Sequence, residues 1–272
     1  MNDSIAFIGG GNMARSLIGG LIANGHAPAG IHVAEPVTEL RDALARDFGV
    51  TAYEHATDAV ANAATWVFAV KPQVMRSVCE GLAVQARTQR PLAISIAAGI
   101  TAHQLDRWLG GNIAVVRTMP NTPALLGAGV TGLYANTQVH AAGHEFAETL
   151  LSAAGKTVWL DDEALMDAVT AVSGSGPAYV FLLAEAMVDA GIKEGLPPEA
   201  ARTLALQTVL GAARMLTESD VEPDELRRRV TSPNGTTQAA IETFEAGGLR
   251  TLVAEAIHAA RERGQQLSAA NE

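Results

Sequence analysis

Short apolar runs alternate with segments of helical periodicity through the first half of the chain. Residues 4–9, SIAFIG, read as a strand entering a glycine turn, and in 12–24 the apolar positions Met13, Leu17, Ile18, Leu21 and Ile22 fall on one helical face. Residues 31–35 form a second strand pattern and 38–48 a helix. Residues 65–70, TWVFAV, form a third strand pattern, followed by Lys71-Pro72 and a helix over about 73–83. Further strand patterns occupy 92–99, 113–119, 129–135 and 157–160. Strands that are apolar almost throughout, interleaved with helices, predict a parallel sheet covered on both faces.

The pattern changes after residue 160. Ala/Leu/Glu-rich helices are predicted over 162–172, 177–190, 198–217, 223–230, 235–246 and 248–268, and the tail 268–272 is expected to fray. Pro177 and the Pro197-Pro198 pair stand at helix starts, where a missing N–H costs nothing. The expected domains are therefore 1–160, α/β, and 161–272, all-α. In the second, Val180, Phe181, Leu182, Leu183, Met187 and Val188 spread apolar surface over more than one face of a single helix. Such surface is best buried against a second copy, so a homodimer or a dimer-based higher oligomer is expected.

Composition narrows the function classes. The chain has 272 residues, 48% hydrophobic and 18% charged, which is an ordinary globular balance. Its net charge of −10, with acids and bases interspersed, argues against a nucleic-acid partner, which requires clustered Lys/Arg. The basic run Arg227–Arg229 reads as a solvated helix end. The single cysteine, Cys79, allows no internal disulfide and reads as core, which fits a reducing, cytoplasmic setting. No charged leader precedes the first strand, and no apolar run of about 18 residues suggests a membrane span. No metal site is expected.

Residues 7–14, FIGGGNMA, fit the dinucleotide pattern G-x-G-x-x-G/A at Gly9, Gly11 and Ala14. Gly9 serves the tight turn, Gly11 lets backbone approach a pyrophosphate, and Ala14 lets helix pack on strand. The N–H groups opening the helix at Asn12 and Met13 face the phosphates. The first domain is thus expected to be a Rossmann-like dinucleotide-binding domain. At the end of the second strand stands Glu35, whose carboxylate suits a free ribose 2′-OH and repels a 2′-phosphate, favouring NADH over NADPH. Arg41, in the next helix, offers a competing phosphate contact or a plain exposed arginine. Ala69, Val70, Lys71 and Pro72 close the third strand and Ala97, Ala98 and Gly99 close another, so both turns should border the nicotinamide half of the cofactor. Lys71 reads equally as a ribose or catalytic contact and as an ordinary helix-start lysine.

Three further segments are over-specified for packing: RTMPNTPA (117–124), AVSGSGPAY (171–179) and SPNGTT (232–237). Each is a polar turn or helix start rich in free amide N–H groups, and together they suit a carboxylate. Asn121 in the first is placed with the cofactor contacts, and Ser175 in the second with the substrate contacts.

These motifs, in this order, together with AVKPQ, SIAAGI and GLPPEAA, resemble those of the pyrroline-5-carboxylate reductases of proline biosynthesis, and the likeness spans essentially the whole chain. The resemblance implies a Rossmann domain followed by a helical dimerisation domain, with NADPH the usual cofactor. It implies an active site between the nucleotide domain of one chain and helices of the partner. It further implies that the loop 232–237 holds the carboxylate of 1-pyrroline-5-carboxylate, through the Ser232 hydroxyl and backbone at Gly235 and Thr236. Thr237 then reaches the ring nitrogen, and Glu163 lies at the substrate site. Three positions depart from the family: Asn234 stands where a second Gly is common, Glu35 where Ser, Thr or Arg often stands, and Ala56 where an Asn often approaches adenosine.

The loop contains no acid, base or thiol, and the chemistry explains why none is needed. A cyclic imine protonates far more easily than a ketone, so the proton can arrive with the substrate and only positioning remains. The rival readings are a reductase of another cyclic imine or of a hydroxyacid, and a non-catalytic nucleotide sensor. A hydroxyacid dehydrogenase calls for a lysine after the GSG turn, and Lys193 falls beyond that helix.

Overall fold

The computed structural model describes residues 4–270, which form two compact units, residues up to Ser175 together with those from Ala260 onward, and Gly176–Ala259. In the first unit an eight-stranded sheet has the order β3-β2-β1-β4-β5-β6-β7-β8. Its strands are β1 (Ile5–Ile8), β2 (Ile31–Ala34), β3 (Thr51–Tyr53), β4 (Thr65–Phe68), β5 (Leu92–Ser95), β6 (Ala114–Met119), β7 (Gly129–Ala135) and β8 (Gly155–Trp159). The first six run parallel in the doubly wound order of a dinucleotide-binding sheet. Their near-continuous apolar sequences follow from burial on both faces, as β1 and β4 are buried at every position.

The sheet is not parallel throughout. β7 runs antiparallel to β6, pairing Met119 with Gly132, and β8 is parallel to β7. A parallel crossover needs a dozen or more residues. The segment 120–128 is shorter and carries Pro120 and Pro123, so the chain can only turn back through the short helical turn Thr122–Leu126.

Helices cover both faces. α1 (Asn12–Ala23), α2 (Thr38–Phe48) and α6 (Ala141–Ser152) bury Leu17, Ile18, Leu44 and Leu150 against Ile5, Phe7, Val33 and Val67. On the other face α3 (Ala56–Ala59), α4 (Pro72–Gln89) and α5 (Ala102–Trp108) bury Met75, Cys79, Leu82 and Leu105 against Ile8, Trp66 and Phe68. Local chemistry fixes the ends. Pro72 opens α4 and Arg90 closes it in a left-handed conformation (φ 48°). A reciprocal capping box opens α5: Thr101 accepts from the Gln104 N–H at 3.1 Å, and the Gln104 side chain accepts from the Thr101 N–H at 2.8 Å.

The change of composition at residue 160 coincides with the end of β8, but the compact unit continues to Ser175. Residues 163–175 pack on β6 and β7. A turn at Glu163–Leu165 leads into α7 (Met166–Val169) and then a widened turn at Thr170–Gly174, where the Ser175 N–H donates to the Thr170 carbonyl at 2.8 Å. Such single wide turns interrupt helices without breaking them. The separate helices expected at 162–172 and 177–190 are therefore one continuous helical stretch, Glu163–Lys193, which by length and composition alone could cross a membrane. Its hydropathy is hidden when it is read as two helices around a Ser/Gly turn.

In the second unit, α8 (Gly176–Lys193), α9 (Pro198–Glu218), α10 (Pro223–Arg229), α11 (Thr236–Ala246) and the first half of α12 (Leu249–Ala270) are helical; α8 runs three residues past its expected end, so Lys193 stands in its last turn rather than beyond it. The end of α12, in the first unit, is helical through Ala270, and residues 271–272 of the tail expected to fray lie outside the described residues. Gln104 donates to the Ser268 carbonyl at 3.1 Å, and Leu267 packs beside Gly99.

Candidate active site

The glycine turn is shaped as its sequence requires. Gly9 has φ 102°, and a β-carbon there would lie 2.7 Å from the Ala69 carbonyl oxygen, so only glycine fits. The Gly9 N–H donates to the Ala34 carbonyl at 2.9 Å and that of Ala69 to the Ile8 carbonyl at 2.8 Å, which lock the turn to β2 and β4. Gly11 caps α1 without any side-chain hydrogen bond, and the space where its β-carbon would stand is open. Asn12 is exposed, Met13 half-buried and Ala14 buried. The first-turn amides of α1 therefore meet open space at the positive end of a helix, the arrangement that holds a pyrophosphate.

Glu35 follows β2 and is only 7% exposed. Its Oε2 accepts the Gly10 N–H at 3.0 Å and its Oε1 the Val37 N–H at 3.0 Å. The carboxylate thus braces the glycine turn itself, in addition to the ribose role expected of it. Arg41 folds back on the same loop, donating to the Glu35 and Pro36 carbonyls at 2.8 and 3.2 Å and to Thr38 at 3.2 Å.

A cleft of about 550 Å³ opens beside the turn, lined by Gly9, Ala34, Pro36, Val70 and the segment Glu54–Thr57, with Val74 and Val78 of α4. It is largely apolar and suits an adenosine. Residues 54–57 lay outside the sequence expectations, apart from Ala56, which forms part of this wall. Their only signal is the short strand β3 before them, whose three residues carry too little pattern to read. Ala69 and Val70 are half-buried at the end of β4, and Lys71 is exposed at the cap of α4 ahead of the half-buried Pro72. Ala97 and Gly99 are buried and Ala98 half-buried in the turn after β5, where the Ala97 N–H donates to Ser95 Oγ at 3.3 Å.

Asn121 is buried with both ends of its amide engaged. Nδ2 donates to the Ser173 carbonyl at 3.2 Å, and Oδ1 accepts the Val130 N–H at 3.0 Å. It ties the PNTP turn to the wide turn at 170–174, so its side chain frames that region instead of presenting a free amide to a ligand. Ser175 is half-buried at the end of the wide turn.

Glu163 lies in an ion network not anticipated from sequence. Arg117 of β6 is 4% exposed; Nη1 donates to Glu163 Oε1 at 3.1 Å and Nη2 to Asp167 Oδ1 at 3.3 Å. Glu163 Oε1 also accepts the Ala102 N–H at 2.7 Å. An arginine inside the apolar strand AVVRTM is itself a signal, because a buried guanidinium requires carboxylate partners. Burial pushes the nearby Tyr134 hydroxyl pKa up, reinforced by the charges of Glu163 and Asp162.

In the helical unit, the loop before α11 places Asn234 in the left-handed region (φ 58°), a conformation asparagine tolerates, so the loop keeps its turn where a second Gly is common. The Gly235 N–H donates to the Ser232 carbonyl at 3.0 Å, and the Asn234 N–H to the Gln238 side chain at 2.7 Å. Gly235 caps α11 with no side-chain cap, so the amides of Thr236 and Thr237 have no helical partner. Ser232 and Thr236 are exposed and Thr237 half-buried.

Cys79 lies on the buried face of α4, and burial pushes its thiol pKa up to about 12; it is core rather than nucleophile.

A doubly wound sheet with an uncapped glycine-turn helix and an adjoining nucleoside-sized cleft defines a dinucleotide-dependent oxidoreductase. Comparison with known proteins narrows the class. Residues 163–267 match the family described as pyrroline-5-carboxylate reductase dimerisation, and residues 4–99 match NADP oxidoreductase, coenzyme F420-dependent. A pyrroline-5-carboxylate reductase of Pseudomonas aeruginosa is 56% identical, over 97% of this chain and 96% of the relative. A solved reductase of this kind from Coxiella burnetii superposes with a TM-score of 0.94 at 43% identity, over 97% of this chain and 98% of that one. The Plasmodium falciparum pyrroline carboxylate reductase, solved with NADP bound, superposes with a TM-score of 0.84 at 27% identity, over 97% and 98% of the two chains. The chain belongs to the pyrroline-5-carboxylate reductase family, whose members are NAD(P)-dependent oxidoreductases of proline synthesis.

Proposed function

We propose that this chain reduces 1-pyrroline-5-carboxylate to L-proline and that it prefers NADH. The observation that carries the reading is the loop 232–237. It combines a left-handed Asn234 with unpartnered amides at Thr236 and Thr237 and has no ionisable side chain. Amide and hydroxyl donors can grip one carboxylate without setting a competing charge beside a cationic C=N bond.

The residues divide the work as follows. The α1 amides at Asn12 and Met13, with Gly9, Gly11 and Ala14, hold the pyrophosphate. The cleft wall holds the adenosine, and Ala69–Pro72 and Ala97–Gly99 border the nicotinamide. When bound, the reduced nucleotide supplies the hydride. Ser232, Gly235 and Thr236 orient the substrate carboxylate, and Thr237 fixes the ring N–H, which enters already protonated. Glu163 and Ser175 are substrate-side contacts. The assembly is a homodimer or a multiple of one, and the setting cytoplasmic, which the buried, unpaired Cys79 supports.

The cofactor preference rests on Glu35, a fixed carboxylate beside the turn where a 2′-phosphate would bring two further negative charges. The test is steady-state oxidation of NADH and of NADPH with 1-pyrroline-5-carboxylate, in wild type and in Glu35→Ser. Because Glu35 also braces Gly10 and Val37, both activities drop in the variant. The ratio of kcat/KM for NADPH over NADH rises by about tenfold, equivalent to ~1.4 kcal/mol. An unchanged ratio removes Glu35 from cofactor choice, and absent turnover with either nucleotide removes the substrate assignment.

A further inference from the structure

We infer that Arg117 is a positioning residue for the reaction, acting through Glu163 on the turn that borders the nicotinamide; the inference rests on the function proposed above. Arg117 lies two residues before Met119 at the end of β6 and is almost wholly buried. Its fork engages two carboxylates from one short stretch, Glu163 at 3.1 Å and Asp167 at 3.3 Å. The Glu163 oxygen that meets the guanidinium also receives the Ala102 N–H at 2.7 Å. Ala102 opens α5, three residues beyond the Ala97–Gly99 turn. Asp167 in turn packs against Gly264 of α12. A single guanidinium therefore fixes the end of β6, the start of α5 and the stretch 163–167 in mutual register.

A purely stabilising network would not need this arrangement. Taking a guanidinium out of water costs much of what its carboxylate partners return, so buried ion pairs are weak evidence for stability. What the pairing does supply is geometry, since the planar fork accepts only one placement of each carboxylate. Glu163 is the outer member, with its side chain 23% exposed, so the network's rigidity reaches the surface at that residue.

The test compares wild type with Arg117→Lys, Glu163→Gln and the double variant. Lysine keeps the charge but loses the fork, and glutamine keeps a carbonyl for the Ala102 N–H. In each single variant kcat falls about ten- to a hundredfold, the loss expected for a misplacement near 1 Å. The dissociation constant for NADH, from fluorescence titration, stays within about twofold, because the pyrophosphate contacts are untouched. The emission of bound NADH changes in wavelength or intensity, since it reports the surroundings of the nicotinamide ring. The double variant loses no more than the worse single, because the two residues act as one unit. Unaltered emission with kcat within about twofold of wild type, or losses that multiply in the double variant, would overturn the assignment. If Arg117→Lys does not fold, Glu163→Gln decides by the emission of bound NADH alone, because its own substrate-side contact lowers kcat in either case; unaltered emission in that variant overturns the assignment. A wild type that binds NADH yet leaves pyrroline-5-carboxylate unreduced refutes the proposed function, while the emission comparison still judges Arg117.

Discussion

Thr237 and Cys79 show how residue identity is read differently once surroundings are known. A threonine at a helix start usually suggests a cap, worth roughly 0.5–2 kcal/mol. Here Gly235 holds the cap position and no side chain caps α11, so the Thr237 hydroxyl is left for another task. Thr237→Ala is expected to lower kcat with pyrroline-5-carboxylate about a hundredfold. Its melting temperature should move by less than about 2 °C. Parallel losses in both would mark the hydroxyl as structural. Cys79 gives the opposite case, a reactive atom disarmed by burial. Its thiol pKa is raised to about 12 from 9.0, so the folded state holds the proton over a range in which the unfolded chain releases it. That contribution to stability is complete below pH 9 and is lost as pH climbs towards 12. Denaturant melts across this range should show wild type losing stability faster than Cys79→Ala, by up to about 1.4 kcal/mol per pH unit. Equal slopes would place the thiol in contact with water.

At the scale of elements, one helix contact separates intrinsic preference from packing. Gly20 lies mid-helix in α1, where alanine is better by about 1 kcal/mol. A β-carbon there would collide with the backbone carbonyl of Ala153, just beyond α6. Gly20→Ala is therefore expected to destabilise by about 2 kcal/mol in denaturant melts, because backbone cannot yield as a side chain does; a gain would show that α1 and α6 can separate freely. The same competition between local pattern and packing decides what the sequence makes legible. β1, β2 and β4, apolar at nearly every position, and α1, with one apolar face, could be read directly because burial dictates every position. The capping box Thr101–Gln104 of α5 and the amphipathic pattern of α6 carried signals that the strand runs on either side overshadowed. β3, three residues at the sheet edge of which Thr51 is exposed and the other two half-buried, carried almost none. The turn back into β7 follows from the length of 120–128, which strand composition does not encode. At the site, the glycine turn and the loop 232–237 were legible because they need special backbone. The Arg117 network and the brace from Glu35 to Gly10 depend on residues tens of positions apart, so no local pattern records them.

At the scale of the whole molecule, the unit Gly176–Ala259 needs company. Its buried apolar residues are the small Ala184, Ala201 and Ala205, whereas Phe181 and Leu182 are each 66% exposed and Leu252 62%. Surface of this kind, several large side chains in one unit, is what a self-association interface presents. The match of 163–267 to a dimerisation family agrees with that reading. The continuous stretch Glu163–Lys193 makes a bilayer the competing cover, but α8 carries Glu185 and Asp189 within its apolar run, which lipid would penalise and a protein partner with a polar rim would tolerate. Detergent-free sedimentation should therefore give a discrete dimer or a multiple of one, with a melting temperature that rises with protein concentration. Phe181→Glu combined with Leu182→Glu inserts two charges per chain into that surface. The pair should shift the protein to monomer at micromolar concentration, while NADH still binds through the first unit. An unchanged sedimentation coefficient in the double variant would move the interface elsewhere. Recovery of wild type only in the membrane pellet would mean that lipid, and not a second copy, covers these helices.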